Sequence, residues 1–425
     1  MFKLHRFMKS CFYLLAVLFF VACSSKYDEK YRNTNPYHTF VSTEDLKETL
    51  KEISKIKNST LRSSVEQQLW DSLLVNRKIP FVIDTSVVFL YRGKAQNVHF
   101  VGDFTQWKIV PECEAQPVRK TSFWILEKCF PANARVDYKI VLDKINWILD
   151  SSNQHIQFSG FGPNSELRMP EWEPSPWLTL DTIIEKGELR QPQKMVSQLL
   201  GYEVQYRVYW PASKSEKDIQ AIIYVTDGHE YSDPQLGNMT TVLDNMIAKM
   251  QIKPLVCVFI DPRDPENLKE NRRRQQYSGN ELFVNFLADE LVPDIEKELK
   301  INILPQNRAI LGTSLGGWNA LYTGLLKSST FQLIAAQSPA VNEDLARMFA
   351  KQDKLPLKMI ISCGTINDGA ETTRLLRDVL IYKGYSIEFI EVNQGHSWGA
   401  WRNQLDAILK TFFAMPRIKS LKKDK

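Results

Sequence analysis

The hydrophobic pattern of this chain changes period twice, and each change marks a new kind of element. Leu46, Leu50, Ile53 and Ile56 recur at helical spacing after Ser42-Thr-Glu-Asp45, whose serine is suited to cap a first turn, and a second helix is predicted over 61–74. From 81 to about 170 the period drops to two, in short runs at 87–91, 98–101, 123–126 and 138–142 separated by turn residues. Strands this short and this evenly spaced predict a small β-sandwich. Beyond 220 the apolar runs become nearly continuous, at 221–225, 255–260, 308–311, 333–336 and 358–362, with helical stretches such as 281–299 between them. Strands buried on both faces and alternating with helices predict a doubly wound α/β sheet, with chemistry at the carboxyl ends of its strands. The run at 204–210 alternates and is predicted as an edge strand, and the proline-containing stretch 171–180 reads as a join. The expected organisation is a helical segment over 41–78, a sandwich over 79–172, a linker over 173–180 and an α/β domain over 181–417.

The two ends differ in composition from this body. Lys3, Arg6 and Lys9 precede an apolar run from Cys11 to Ala22, too short to span a bilayer as a permanent helix, so 1–22 is expected to be an export signal. Ala22-Cys23 resembles a bacterial lipobox, which implies a diacylated Cys23 at the mature N-terminus; the alternative is a simple secreted protein with a free N-terminal cysteine. Asp28-Glu29 is similar to sorting signals of surface lipoproteins. The expected location is therefore a bacterial membrane, the outer one, facing the periplasm or the surface, with 23–40 as a polar tether. The formal net charge of +5 is concentrated in the first nine residues and in a basic tail over 418–425, which leaves the body slightly acidic. A nucleic-acid partner is therefore not expected, since it would need basic excess on a folded face. Cys257 and Cys363 sit in strand-like runs, Cys113 and Cys129 are the candidate disulfide pair, and no spacing fits a zinc site.

The candidate chemistry centres on Gly312-x-Ser314-x-Gly316, placed between the apolar run 308–311 and a helix-forming run. A serine at the end of a buried strand reaches substrate only if the chain turns sharply, and the small residues at 312 and 316 let strand and helix approach that closely. The same turn puts the N–H of Leu315 at a helix N-terminus, facing a developing oxyanion. A serine nucleophile needs a base. His396, the only histidine downstream, follows a strand-like run, and Asp368 follows another; Glu371 is the rival acid. The second oxyanion donor is expected after the run 221–225, from the N–H of Gly228 or His229. Arg263 and Arg272-Arg273-Arg274 are candidates for a cationic wall toward an anionic substrate, with Trp398 a further candidate contact.

Two sets of segments carry a family resemblance. The stretches Val101-Gly-Asp-Phe-Thr-Gln-Trp107, Asp137-Tyr-Lys-Ile-Val, Trp147 and Gly162-Pro-Asn-Ser-Glu-Leu-Arg-Met-Pro170 resemble the immunoglobulin-like, glycogen-binding type of module found in front of enterochelin esterases. That likeness implies Trp107 and Trp147 as sugar contacts, against the plainer reading that such tryptophans pack a corner. The stretches Tyr-Val-Thr-Asp-Gly-His-Glu230, Ile260-Asp-Pro-Arg263, Gly-Thr-Ser-Leu-Gly-Gly317, Cys-Gly-Thr-Ile-Asn-Asp368 and Gly395-His-Ser-Trp398 resemble the esterase D family of α/β hydrolases, which includes enterochelin, feruloyl and acetyl-xylan esterases. The resemblance covers roughly 80–415. It implies hydrolysis of a small-molecule or oligosaccharide ester by Ser314, His396 and Asp368, without metal or cofactor, and leaves open a siderophore lactone or an acyl group on a polysaccharide. The alternatives are acyl transfer, or an inactive lipoprotein that binds carbohydrate or siderophore.

Overall fold

A computed structural model of the chain describes residues 40–416. The expected export signal, Cys23, most of the tether and the basic tail lie outside the described residues. The described residues form two compact units: one holds 40–101 with 108–132 and 139–154, the other holds 102–107, 133–138 and 155–416.

The first unit opens with helices Thr43–Lys55 and Ser59–Val75. Ser42 caps the first by accepting from the Asp45 N–H at 3.0 Å, and Asn58 caps the second. Their apolar stripes, with Leu46, Leu50, Ile53, Val65 and Leu69, bury against Phe81, Val88, Leu90 and Phe123. Nine short strands follow over 81–168, of which the last two lie in the second unit: β1 (Phe81–Ile83), β2 (Ser86–Arg92), β3 (Val98–Gly102), β4 (Gln116–Pro117), β5 (Phe123–Cys129), β6 (Arg135–Leu142), β7 (Asn146–Ile148), β8 (Ile156–Ser159) and β9 (Gly162–Arg168). They make one sheet in the order β1-β2-β5-β4 and another in the order β3-β6-β9-β8, with β7 on β6. Phe89 of the first sheet meets Phe100 of the second with ring centroids 5.0 Å apart. Both β3 and β6 begin in one unit and end in the other.

Cys113 and Cys129 are free, which corrects the candidate disulfide. Cys113 is buried and its Sγ donates to the Val110 carbonyl, whereas Cys129 is exposed.

The second unit is built on β10 (Glu188–Leu189), β11 (Gln193–Val196), β12 (Glu203–Trp210), β13 (Ala221–Val225), β14 (Leu255–Asp261), β15 (Arg308–Thr313), β16 (Leu333–Gln337), β17 (Lys358–Gly364) and β18 (Ser386–Val392). The sheet order is β10-β12-β14-β13-β15-β16-β17-β18, with β11 also on β12. Pairs from β14 to β18 are parallel, while β12 runs antiparallel to β14. Alternate residues of each central strand feed opposite cores: Ile222, Tyr224, Val258 and Ile310 on one face, Ile223, Val225, Phe259 and Leu311 on the other. That two-sided burial is why these strands read as unbroken apolar runs.

Two expectations change here. The segment 204–210 is not an edge strand, because β10 and β11 pair along its outer side. Its alternation reflects the partly exposed Arg207 and Trp210 among buried neighbours. The stretch 281–299 is not one regular helix; helical turns at Glu281–Asn285 and Val292–Glu298 flank a π-helical segment, Phe286–Leu291. Pro293, which has no N–H to give to the preceding turns, stands where regular hydrogen bonding resumes. The join is strapped to its unit: the Ser175 N–H donates to Asn403 Oδ1 at 2.6 Å, and Asn245 Nδ2 donates to the carbonyls of Trp177 and Thr179.

Candidate active site

The chain order reverses at β13: β14 lies on one side of it and β15 on the other, and a crevice at such a switch point is where doubly wound sheets bind ligands. At the end of β15, Ser314 adopts φ 56° and ψ −119°, a conformation that costs an L-residue on the order of 1–3 kcal/mol. The surroundings hold it there. Its N–H donates to the Gln337 carbonyl at 2.9 Å, and its carbonyl accepts from the N–H groups of Trp318 and Ala340. The glycines on either side are required by space: a Cβ at Gly312 would stand 2.2 Å from the Gly316 oxygen, and one at Gly316 would stand 2.6 Å from Thr226 Oγ1. Arg273 braces the turn from below, Nη2 to the Thr313 carbonyl at 3.2 Å and Nε to the buried Asp227 at 2.8 Å.

His396 Nε2 lies 2.9 Å from Ser314 Oγ, and Nδ1 is hydrogen-bonded to Asp368 Oδ1. With Nδ1–H donating to the carboxylate, Nε2 carries the lone pair and can accept a hydrogen bond from the Ser314 hydroxyl. Asp368 is buried, and its Oδ2 accepts from the Gly364 N–H at 2.6 Å and from the Ser338 hydroxyl. Trp401 closes the set: its indole N–H donates to Ser338 Oγ at 2.9 Å, and its ring meets the His396 ring edge-on at 4.9 Å. The rival acid Glu371 is exposed on the first turn of the helix Ala370–Tyr382. Ser338 and Trp401 had no role in the sequence reading. The strand end at 337 was the available signal for Ser338, and Trp401's place close after His396 was the signal for the indole.

Leu315 is the first residue of the helix Leu315–Leu326, and Gly228 and His229 open a short helical turn after β13. N–H groups in a first turn have no partner within the helix, so those of Leu315, Gly228 and His229 are free to meet an anion. Gly228 is packed so tightly on β14 that a Cβ would lie 2.3 Å from the Phe259 carbonyl carbon. The His229 imidazole is held below its ordinary pKa, first by burial, and its Nδ1 stands 3.4 Å from Asp261 Oδ1 without a well-aligned hydrogen bond. Next to it the Glu230 carboxyl is pushed up to about 7 by burial and by the charge of Asp227.

Other predicted contacts are differently employed. Trp398 is 3% exposed and packs edge-on against Tyr231 and Trp401, so its ring belongs to the core and is not a wall for substrate. The cationic wall is largely neutralised. Arg263 is paired with both oxygens of Asp261, Arg272 with Asp264 and Arg273 with Asp227, leaving Arg274 as the exposed member. Trp107 is half-buried with its indole N–H on Asp103 Oδ1 at 3.2 Å, whereas Trp147 on β7 is 41% exposed. Among the described residues no group of three or more His, Cys, Asp or Glu side chains is arranged to hold a metal ion.

Comparison with known proteins agrees with this architecture. The Esterase family model matches residues 197–412. The chain is 26% identical over 234 residues to the Bacillus subtilis protein YjcH, covering 52% of this chain and 95% of that one. It is 27% identical over 145 residues to the ferri-bacillibactin esterase BesA of the same bacterium, covering 30% of this chain and 50% of that one. Among solved structures, ferric enterobactin esterase from Salmonella typhimurium matches with a TM-score of 0.65 at 17% identity, over 77% of this chain and 93% of that one. A likeness at that identity speaks to fold: an α/β-hydrolase sheet preceded by all-β sheets.

Proposed function

Since the chain belongs to the Esterase family and is an ester hydrolase by that membership, we propose that it works through Ser314, His396 and Asp368, and that its substrate is an extracytoplasmic carboxylic ester. The observation that carries the reading is the Ser314 Oγ to His396 Nε2 contact of 2.9 Å, continued through Nδ1 to Asp368. Ser314 Oγ attacks the acyl carbon as its proton passes to Nε2, and Asp368 stabilises the imidazolium that forms. The oxyanion of the tetrahedral intermediate accepts from the N–H of Leu315 and from that of Gly228 or His229. On collapse the C–O bond to the alcohol breaks and the alkoxide takes the proton from His396. Water then repeats the sequence on the acyl-enzyme, so that ester and water become acid and alcohol. The names of the ferri-bacillibactin and ferric enterobactin esterases support a siderophore lactone as the substrate class.

Hydrolysis of p-nitrophenyl acetate, ferric enterobactin, feruloylated oligosaccharides and acetylated xylan by the purified protein tests this. Turnover of p-nitrophenyl acetate is expected, and Ser314→Ala should lower it by roughly 10³-fold or more without unfolding the chain. Near-normal turnover by Ser314→Ala removes the serine mechanism, and an inert wild type favours the inactive binding protein. Preference for the acylated polysaccharides over enterobactin moves the substrate class.

A further inference from the structure

The stretch Val101–Trp107, which by resemblance suggested a sugar contact, is occupied elsewhere. Asp103 is 3% exposed; Oδ1 accepts the Trp107 indole N–H and Oδ2 accepts the Asp137 N–H at 2.8 Å. Its backbone carbonyl accepts from Asn367 Nδ2 at 3.0 Å, one residue before Asp368. On the other side it is pressed against Gly395, one residue before His396: a Cβ there would lie 2.2 Å from Asp103 Cγ. The turn therefore touches the acid loop and the histidine loop at once.

Arg135 completes the grip. Its side chain is fully buried, with Nε on Glu166 Oε1 at 2.6 Å and Nη2 on Asp137. Its backbone N–H donates to the Asn393 carbonyl at 3.0 Å, and its Nη1 donates to Ser397 Oγ at 2.7 Å. Gly399 is excused a side chain by the same arginine, since a Cβ would lie 2.0 Å from Arg135 Cζ. Ser397 stands at the N-cap of the short helix Trp398–Arg402 but does not cap it, because its hydroxyl faces the arginine. All these residues belong to the second unit. A buried ionic cluster is weak evidence for stability, since well-packed apolar residues often do as well. The bonds of this cluster end beside His396 and Asp368, one residue away from each, whereas the His396 side chain, 42% exposed, is met directly among the described residues only by Asp368, Ser314 and the Trp401 ring.

We propose that Asp103 and Arg135 are positioning residues for ester hydrolysis, holding the Asn367–Asp368 and Asn393–Ser397 loops so that Asp368, His396 and Ser314 stay in line. The proposal rests on the triad reading above. It assigns the Gly102–Trp107 turn to the alignment of the catalytic loops and not to sugar recognition.

The test removes one strut from each loop of the full chain. Ser397→Ala deletes the partner of Arg135 Nη1, and Asn367→Gly deletes the amide on Asp103 while suiting the φ of 53° at that position. With p-nitrophenyl acetate, each is expected to lower kcat about tenfold, within the range that a misplacement of around 1 Å commands, with KM and melting temperature little changed. Ser397→Thr, which keeps the hydroxyl, should restore kcat. Wild-type kcat in both variants overturns the proposal. So does a loss of kcat that tracks a loss of melting temperature and is not rescued by threonine. Ser314→Ala assayed alongside separates the two readings: if it stays active the triad is wrong, whereas if it is inert and both strut variants are normal only the positioning role fails.

Discussion

Ser314 carries φ 56° at the point where β15 turns into a helix, and of the two candidate acids for the proposed triad only Asp368 is buried. Asp368 has one oxygen on His396 Nδ1 and the other on the Gly364 N–H and the Ser338 hydroxyl, so its orientation is determined on both sides. Glu371, three residues on, is exposed. Asp368→Asn should therefore depress kcat by roughly 10⁴-fold, because an amide at that point favours the wrong tautomer of His396, while Glu371→Gln should fall within about twofold of wild type. Steady-state kinetics on the two purified variants checks this; a crippled Glu371→Gln would make Glu371, and not Asp368, the acid. Sequence order alone left these two carboxylates as rivals, because three residues of a loop can present either one. Burial and three hydrogen bonds separate them.

At the level of elements, the adjacency of β13 and β15 brings the proposed oxyanion donors, the N–H groups of Gly228 or His229 and of Leu315, to the ends of neighbouring strands. Their register pairs Val225 with Leu311 and the Thr226 N–H donates to the Leu311 carbonyl at 3.0 Å, so the turn after β13 begins beside the last residues of β15. Gly228→Ala would put a methyl group into the main chain of β14, which cannot yield as a flexible side chain would. The turn must lift away, and the N–H groups of 228 and 229 move with it. A fall in kcat of about 10²- to 10³-fold is expected, the usual cost of one lost oxyanion donor, with the protein still folded by circular dichroism. Unchanged kcat would show that the second donor comes from another turn. The parallel strands were legible because burial on both faces writes an unbroken apolar run. The pairing of β10 and β11 onto β12 was not, since two- and four-residue strands are too short to show a period.

For the whole molecule, two acidic groups give stability a pH dependence of known sign. Burial pushes the carboxyls of Asp103 and Glu230 up to about 7 in the folded chain, well above their unfolded values. The folded state therefore holds these protons more tightly, and their contribution is fully present below the unfolded pKa and lost as pH rises through about 7. Urea midpoints are expected to fall between pH 5 and pH 8, and Glu230→Gln should flatten part of that slope; an equal slope in the variant would place the titration elsewhere. The opposite case is Glu166, whose carboxyl lies below the usual range despite burial because Arg135 and Arg168 face it, so its contribution is lost only in acid. What the sequence determined by itself is local or periodic: the capped helices, the two strand regimes, the Gly-x-Ser-x-Gly turn and the order Ser, Asp, His. Each of these is written within a few residues, by spacing, by propensity or by the need for small side chains. Tertiary structure alone decided that Arg135, some 260 positions before Ser397, donates to its hydroxyl. It also decided that Trp398 is core while Trp401 attends the histidine, and that the arginine row at 272–274 is mostly paired. Which buried charge meets which partner depends on long-range closure of the chain, and no local pattern encodes it.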